Sequence, residues 1–314
     1  MNNKEAFFKD KEKCSEDFPH ITGNITDPAL KAIDELYGAA DILSIKNAQK
    51  HQRILLALSV IGTLITMAFL LYDEAELHGL ILACIVMILF LFYIRKMAHN
   101  LDCHRKYIEY RVLAEALRVQ FFLSVAGVQK QVADILPWFI RQGLPWIEEI
   151  LKSLPKTDKH ERNPIINFWI LDQRTYHNGA LEKAENKKNR EKKTTYIVII
   201  ITIIAYIVTL LFELFIYTQI PGNVDANAIR AILKIIVGTM SAITLFTGSY
   251  YGKLSLTYTI NDHKRMIALY THAESEIAKK GETEEILVEL ARESLIENST
   301  WYSYQTKNKA DLVL

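Results

Sequence analysis

Four apolar runs, arranged as two close pairs, constrain this chain more than any other feature of its sequence. The runs cover residues 54–72 and 79–94 in the first pair, and 195–220 and 231–251 in the second. A helix needs about 20 mostly apolar residues to cross about 30 Å of hydrocarbon, where only helices and closed barrels satisfy their own backbone groups. The sequence therefore predicts an all-α membrane protein with two transmembrane hairpins and long amphipathic helices that form a cytoplasmic bundle.

The overall charge points away from nucleic acid as a partner. The chain carries 37 basic and 36 acidic residues, a net charge of +1, so no global field attracts polyanions. Its three cysteines, Cys14, Cys84 and Cys103, lack the spacing of metal ligands. We expect no disulfide framework, no metal and no other cofactor.

The basic residues that flank the spans predict the orientation. Lys and Arg precede the first apolar run and follow the second, whereas the loop Asp73 to His78 carries three acidic residues and no Lys or Arg. The second hairpin shows the same asymmetry, with Arg230 and Lys234 as exceptions expected to snorkel. The positive-inside rule then places both termini in the cytoplasm of a multi-pass inner-membrane protein. Met1 to Pro19 has no apolar segment like a signal peptide, so the first span is expected to direct insertion.

Turn and cap residues divide the remainder of the chain. Asp27 and Pro28 predict a helix start, Gly127 predicts a helix end, and Thr283 predicts a further helix start. The expected organisation is a flexible leader (1–28), a first helix-hairpin-helix unit (29–127), a cytoplasmic connector (128–164), a second unit (165–280) and a C-terminal helix with its tail (281–314). The aromatic residues of 128–155 are consistent either with an elbow packed on the bundle or with a segment at the lipid interface.

The two hairpin units share a weak internal similarity. At a constant separation of 159 residues, His104 corresponds to His263, and Ala114 with Glu115 corresponds to Ala273 with Glu274. This pattern favours a duplicated unit, with chance identity between charged helices as the alternative.

Polar clusters that follow each hairpin are the candidate coupling residues. They comprise Asp102, His104, Arg105 and Glu115 after the first hairpin, and Asp262, His263, Arg265 and Glu274 after the second. A His beside an Asp can act as a pH-sensitive base, although charged residues at such positions commonly pair with their neighbours. No nucleophile elbow, phosphate loop or zinc-spaced set occurs in the sequence, so an enzyme is not expected.

The apolar runs contain two further candidate features. Glu213 is an acidic residue within a strongly apolar run, where a carboxylate either has a function or reaches the headgroups or Arg230. The fourth run is rich in small and hydroxyl residues, and Gly238, Ser241, Leu245 and Gly248 are spaced to share one face, with Thr244 beside it. Such residues permit close packing of helices or line an aqueous path.

Several segments together resemble a bacterial membrane family over about residues 30–305. Tyr110 to Arg118 reads YRVLAEALR and is similar to the "YRxLAExLR" segment of SLATT-like and SMODS- or SLOG-associated four-transmembrane proteins, and Gly127 follows it. Leu171 to His177 resembles the family's "DQxxYH" element, and Glu297, Asn298 and Trp301 resemble a late "EN..W" element. About 28 residues precede the first expected helix, which leaves no room for a fused SLOG sensor.

The resemblance implies an effector of a bacterial conflict or antiphage system. A nucleotide second messenger, or a soluble sensor such as a nucleotidyltransferase partner, would trigger it to perforate or depolarise the inner membrane. Since four thin spans poorly enclose a conduit, we also expect a homo-oligomer within the lipid bilayer. The alternative from another class is a non-conducting scaffold that presents its helical bundle to a soluble partner.

Overall fold

The computed structural model describes residues 3–22, 25, 27–155, 166–217 and 225–307, and these residues are almost entirely helical. They form no strand. In chain order, the helices are α1 (Asn3–Glu12), α2 (Pro28–Glu74), α3 (Leu80–Leu101), α4 (Cys103–Val125), α5 (Val132–Ile135), α6 (Trp138–Gly143), α7 (Pro145–Lys152), α8 (Asp172–Leu211), α9 (Ala226–Lys253), α10 (Leu256–Lys280) and α11 (Glu284–Lys307). Two π-helical turns, Ile166–Leu171 and Phe212–Ile216, lie at the two ends of α8.

The helices begin and end at the cap residues that the sequence indicates. The Asp27 side chain accepts a hydrogen bond from the Ala29 amide at 2.8 Å, and Pro28 opens α2. Gly127 follows α4 with a φ of 70°, and Val128 N–H donates to the Leu123 carbonyl oxygen at 2.9 Å. This is a Schellman motif, in which glycine adopts the left-handed conformation without a steric cost. Thr283 precedes α11 as predicted.

The chain divides into two compact units. One unit, here called the core unit, contains Met1–Lys50, Asp102–Ala184 and Tyr258–Asp311. The other, here called the span unit, contains His51–Leu101, Glu185–Thr257 and the last three residues. Helices α2 and α8 contribute residues to both units without a break in the helix.

The core unit is organised around α4. Most of α4 is buried, including Leu113, Ala116 and Leu117, all less than 1% exposed. A helix with apolar residues on every face is buried on every face, which is why α4 shows no amphipathic stripe. Its neighbours include α11, which packs along it, and the aromatic ring of Trp169, which stacks on Phe122 at 5.2 Å between centroids.

The predicted flexible leader (1–28) contains a packed helix at its start. Residues 3–12 form α1, and its Phe7 is fully buried, with its ring 5.3 Å from that of Tyr110. Polar contacts add to this packing, because Asp10 accepts hydrogen bonds from Lys106 Nζ and Tyr110 Oη, each at 2.8 Å. The two phenylalanines of a polar segment were the sequence signal for a docked helix, since a buried aromatic ring contributes a large apolar area.

The connector after α4 packs into the core unit. Its three short helices bury Ile140, Trp146 and Ile147, and the Trp146 ring lies 6.4 Å from that of Tyr110. Trp138 is 77% exposed and Phe139 is 49% exposed, so residues 128–155 agree with the packed elbow, one of the two expected alternatives, with two aromatic side chains left outside. The predicted helix start at Pro164 and Ile165 lies outside the described residues.

The structure confirms the four apolar helices that the sequence predicts. Among the described residues, four helical stretches are long and apolar enough to cross a membrane: Pro28–Glu74, Leu80–Val125, Trp169–Ile216 and Ala226–Lys280. Only 6–17% of each apolar window is buried within the protein. Apolar surface of this extent requires an apolar solvent, so the chain is a multi-pass membrane protein. Residues 218–220, the predicted end of the third span, lie outside the described residues.

Two left-handed residues interrupt helices that were expected to continue. The sequence predicts one helix over Met97 to Leu123, but Asp102 has a φ of 49° and separates α3 from α4. Ser255 has the same φ and separates α9 from α10. Left-handed backbone at a residue with a side chain costs about 1–2 kcal/mol, so packing must hold both breaks in place.

Candidate functional site

An ion network on the central helix α4 is the most distinctive polar feature of the core unit. Arg111, Glu115 and Arg118 lie on one face because they are four and three residues apart. Arg111 Nη2 lies 2.5 Å from Glu115 Oε1, and Arg118 forms an ion pair with the other oxygen of the same carboxylate. Arg111 also donates to Asp41 Oδ1 on α2 at 3.1 Å. These four residues, here called the α4 ion network, tie α4 to α2.

The network holds Glu115 in its charged form. Burial disfavours a charged carboxylate, but the guanidinium groups of Arg111 and Arg118 outweigh burial and lower the pKa of Glu115. Burial raises the pKa of Asp41, and Arg111 opposes this effect. Arg118 is only 6% exposed, so its charge depends on Glu115 for compensation.

Two imidazole rings meet beside this network. His177 Nδ1 on α8 lies 3.1 Å from His263 Nδ1 on α10, and the His177 ring stacks on Tyr270 at 5.9 Å between centroids. Burial, and after it the Arg118 charge, lowers the pKa of His177 to about 3. Burial also lowers the pKa of His263, with Arg111 as the second cause. Both rings are therefore neutral at pH 7, and one Nδ1–H donates to the other ring.

A second charged group lies further along α10, where it faces α11. Arg265 Nη2 lies 2.6 Å from Glu297 Oε1 and 3.7 Å from Asp262 Oδ1. Burial, followed by the hydrogen bond and charge of Glu297, raises the pKa of Asp262 well above its usual range. One arginine thus compensates two adjacent carboxyl groups, of which Asp262 binds a proton more readily than an ordinary aspartate.

The remaining predicted coupling residues form separate contacts. Arg105 pairs with Asp102 and with Glu109 Oε2, the latter at 3.0 Å, so this cluster stays within the start of α4 and its break. His104 Nε2 lies 3.3 Å from the carbonyl oxygen of Gln305 on α11. Glu274 pairs with Arg174 on α8. The eight predicted residues therefore contribute to several contacts rather than to one site.

Three sequence segments lie in the core unit: Tyr110 to Arg118, Leu171 to His177, and Glu297 to Trp301. The first segment supplies Arg111, Glu115 and Arg118, and the second supplies His177. The late element supplies Glu297, which pairs with Arg265 on α10. It also supplies two residues that contact α4: Asn298 Nδ2 donates to the Val112 carbonyl oxygen at 3.3 Å, and the Trp301 ring lies 5.6 Å from that of Tyr107.

Sequence reasoning missed several members of this arrangement. The sequence did not predict four of them as site residues: Arg111, Arg118, His177 and Glu297. The spacing of Arg111, Glu115 and Arg118 in an otherwise apolar helix was a usable signal, because a charge on such a helix needs a partner. Asp41 and Tyr270 carried no comparable signal, because their roles depend on which helices become neighbours.

In the span unit, two cations at one end of the spans are paired with glutamates. Glu213 Oε1 accepts a hydrogen bond from Arg230 Nε at 2.6 Å, which agrees with one of the two readings of this carboxylate. Lys234 Nζ lies 2.9 Å from Glu74 Oε1. Arg230 and Lys234, the two exceptions to the charge asymmetry, were expected to snorkel. In the structure each of them has a carboxylate partner.

The small and hydroxyl residues of the fourth span contact two different helices. Ser241 Oγ lies 3.0 Å from Tyr206 Oη, and Thr244 Oγ1 lies 2.9 Å from Thr202 Oγ1, both on α8. Gly238 instead faces α2, where an added Cβ atom would lie 2.5 Å from Leu70 Cδ1. Gly248 has no atom within 4 Å of such a Cβ position, and Leu245 is 74% exposed. The expected common face is therefore divided between packing contacts and the outer surface.

The described residues offer no group of three or more His, Cys, Asp or Glu side chains that is placed to hold a metal ion. Cys14, Cys84 and Cys103 are free thiols. The ion pairs of the core unit hold their charged side chains in a fixed geometry. A ligand or partner that displaces α4 or α10 must rearrange these ion pairs.

Comparisons with known proteins provide no relative of known function for this site. No family model, no curated protein and no solved structure matches the chain.

Proposed function

We propose that the chain is a regulated inner-membrane effector of a bacterial conflict system, which depolarises or perforates the membrane after a nucleotide or a soluble partner signals to its core unit. One observation carries this proposal. The three segments that resemble SLATT-like and SMODS-associated proteins meet on the buried polar groups of the core unit, in a chain that also has four apolar helices.

The coupling would use the ion pairs of the core unit. A buried ion pair is costly to break, so such a network favours discrete arrangements over gradual deformation. Helices α2 and α8 run from the core unit into the span unit without a break, so a change in their core segments would be carried into the apolar segments. A signal that binds one arrangement of these helices more tightly than the other would shift the population toward the arrangement that it prefers.

The membrane-disrupting form would be a homo-oligomer with both termini in the cytoplasm. The flanking Lys and Arg residues support this orientation. The apolar side chains of the spans are largely exposed in one copy, for example Leu82 at 65% and Leu89 at 63%. This surface accommodates lipid or further copies of the chain.

Membrane potential measured in bacterial cells with a potential-sensitive dye tests this function. The chain is expressed together with each of a panel of nucleotidyltransferases that make cyclic oligonucleotides, and dye fluorescence is followed after induction. Rapid depolarisation with one of these enzymes, and none with its catalytically dead form, is the expected result. Unchanged potential across the panel, with the protein correctly inserted, would count against the proposal.

One observation favours a second function, a non-conducting scaffold. Ser241 and Thr244 form hydrogen bonds to α8, which is a packing role rather than a free lining. The double variant Ser241→Leu with Thr244→Leu separates the two functions. The effector proposal predicts loss of depolarisation, whereas a scaffold keeps partner binding in a pull-down. The matched control is Ile232→Leu with Ile236→Leu, because both side chains are exposed on the same helix.

A further inference from the structure

The span unit contains a cavity between α2, α3 and α9 that is lined by apolar side chains, by the hydroxyl residues Ser59, Ser249 and Tyr250, and by two cations. Its volume is about 80 Å³. The apolar lining includes Leu55 and Leu58 of α2, Leu91 of α3 and Phe246 of α9, and the cationic lining is Arg95 and Lys253. Leu55 and Leu91 are buried, at 4% and 5% exposed, so the apolar side of the cavity belongs to the packed interior of this unit.

The two cations mark where the apolar segments of α3 and α9 end. Arg95 directly follows Ile94, and Lys253 is the last residue of α9. Within the part of the chain that the structure describes, neither side chain has an ion pair or hydrogen bond, and the cavity lining contains no carboxylate. The cations at the other end differ, since Arg230 and Lys234 are each paired with a glutamate.

Two unpaired cations near each other repel, unless an anion lies between them. A charge at the edge of an apolar environment is costly when it is not compensated. An anion would compensate both cations, and an anion with an apolar portion would also fit the apolar side of the cavity. Basic pockets between transmembrane helices are suited to acidic lipid headgroups.

We propose that this cavity binds one anionic phospholipid, with a segment of an acyl chain between Leu58, Leu91 and Phe246 and the phosphate between Arg95 and Lys253. The volume agrees with this occupant. Pockets that enclose a small molecule measure about 300–1,000 Å³, so this cavity is too small for a whole nucleotide but admits part of a chain that continues along the outer surface. The proposal requires only that the spans lie in a bilayer, and it holds whether or not the protein conducts ions.

A glycine shapes the apolar side of the cavity. An added Cβ at Gly62 of α2 would lie 2.4 Å from the Phe246 ring, closer than such atoms approach one another. Only glycine at this position lets the Phe246 ring lie against α2. The cavity thus depends on a close contact between the two helices in addition to its charge.

Native mass spectrometry of the full chain tests the proposal. The protein is purified in detergent, delipidated, and titrated with phosphatidylglycerol, with phosphatidylcholine of the same acyl chains, and with inorganic phosphate. We expect one tightly bound phosphatidylglycerol, weak binding of phosphatidylcholine, and no retained inorganic phosphate. Each Lys or Arg adds about 1 kcal/mol of attraction to acidic lipid, so Arg95→Gln with Lys253→Gln should weaken phosphatidylglycerol binding about 30-fold.

The matched control is Lys192→Gln with Lys193→Gln, because both are exposed cations that precede the third span on α8, a helix that contributes no residue to the cavity lining. This variant removes the same charge and should keep its affinity within about 2-fold, as expected when only distant surface charge changes. Leu58→Phe narrows the cavity without changing charge and should weaken both lipids.

Equal loss of phosphatidylglycerol binding in the cavity variant and the control variant would overturn the proposal. So would equal affinity for the two lipids. Retention of inorganic phosphate that competes with phosphatidylglycerol would overturn the lipid assignment in favour of a free anion. Circular dichroism of each variant shows whether it is folded, and Leu58→Phe keeps the test decisive if removal of the two charges prevents folding.

Discussion

Helices α4 and α10 each follow a pair of apolar helices, and each carries an Ala-Glu pair, but they occupy different environments. Helix α4 is buried on nearly all sides and holds Arg118 in the interior. Helix α10 buries one stripe, formed by Met266, Tyr270, Ala273 and Ile277, and exposes Lys264 and His272. The same short pattern therefore belongs to a central helix in one half and to a peripheral helix in the other.

The difference shows how the environment determines the role of a charge. Glu115 lies between two arginines in the interior and is held charged, whereas its counterpart Glu274 forms a half-exposed pair with Arg174. His104 contacts a backbone carbonyl oxygen, whereas its counterpart His263 contacts a second imidazole. Equal spacing along the chain thus does not give equal chemistry.

The largest expected effect comes from removing the charge at the centre of α4. Glu115→Gln leaves Arg111 and Arg118 with one fewer carboxylate, and breaking a buried pair in this way costs about 3–5 kcal/mol of unfolding free energy. The matched variant Glu274→Gln breaks a half-exposed pair and should cost about 0–1 kcal/mol. Chemical unfolding in detergent, followed by circular dichroism, measures both. Equal losses would contradict the central position of α4.

The second effect is a change in pH dependence. Because the pKa of His177 is about 3 in the folded protein and about 6.5 when unfolded, the unfolded state binds more protons between these values. Stability should therefore fall by up to about 1.4 kcal/mol per pH unit as the pH drops below 6.5. His177→Gln removes this contribution and flattens the profile from pH 6.5 to 4.

The raised pKa of Asp262 has the opposite effect on stability, because the folded state then binds the additional proton in the acidic range. Asp262 is present in the wild-type protein and in the His177 variant. The difference between their two pH profiles therefore reports the contribution of His177. His272→Gln is the control, because His272 is exposed on α10. Unfolding midpoints measured at half-unit pH intervals provide the profiles. An unchanged slope in the His177 variant would show that the imidazole pair is not what makes the core unit sensitive to acid.

A third effect uses the matched alanines of the two helices. Ala114→Leu adds volume to a helix that is surrounded on all sides, and overpacking of this kind costs about 1–3 kcal/mol. Ala273→Leu adds the same volume to a helix that has one exposed side, so α10 can shift outward and the loss should be smaller. Thermal unfolding compares the two. A larger loss at Ala273 would reverse the assignment of central and peripheral helices.

The smallest effect concerns the left-handed residues before α4 and α10. Ser255→Gly removes the steric cost of its φ of 49° together with the contacts of the Ser255 side chain, so it should stabilise the protein by less than about 1 kcal/mol. Asp102→Gly removes a similar cost but also the ion pair with Arg105, so its net change should be near zero. Equal stabilisation by both variants would mean that the Asp102 and Arg105 pair contributes nothing at this break.

Much of the fold follows from local patterns. The four apolar runs, the caps at Asp27 and Thr283, and the glycine turn at Gly127 each depend on a few neighbouring residues, so the sequence alone predicts them. The docking of α1 was missed because Phe7 and Phe8 lie in an otherwise polar segment, and the burial of Phe7 depends on a pocket formed by Tyr110 and Trp146 far along the chain. The breaks at Asp102 and Ser255 carry no glycine or proline signal.

The candidate sites divide in the same way. The charged residues after each hairpin were found by sequence, but which of them meet was not. Glu115 acquired its role from Arg118 on its own helix, whereas His263 acquired its role from His177, 86 residues away. Ser241 and Thr244 were found as polar residues in an apolar helix, and their partners Tyr206 and Thr202 on α8 complete the contacts.

The sequence by itself determined that this is an all-helical membrane protein with four spans, because apolar length and helix caps are local properties that no distant contact has to supply. The tertiary structure alone decided which helix is central, which charges are buried together, and where two cations lack a partner among the residues that the structure describes. Pairing and burial depend on which helices become neighbours, and residues such as Asp41, His177 and Lys253 carry no local mark of that choice.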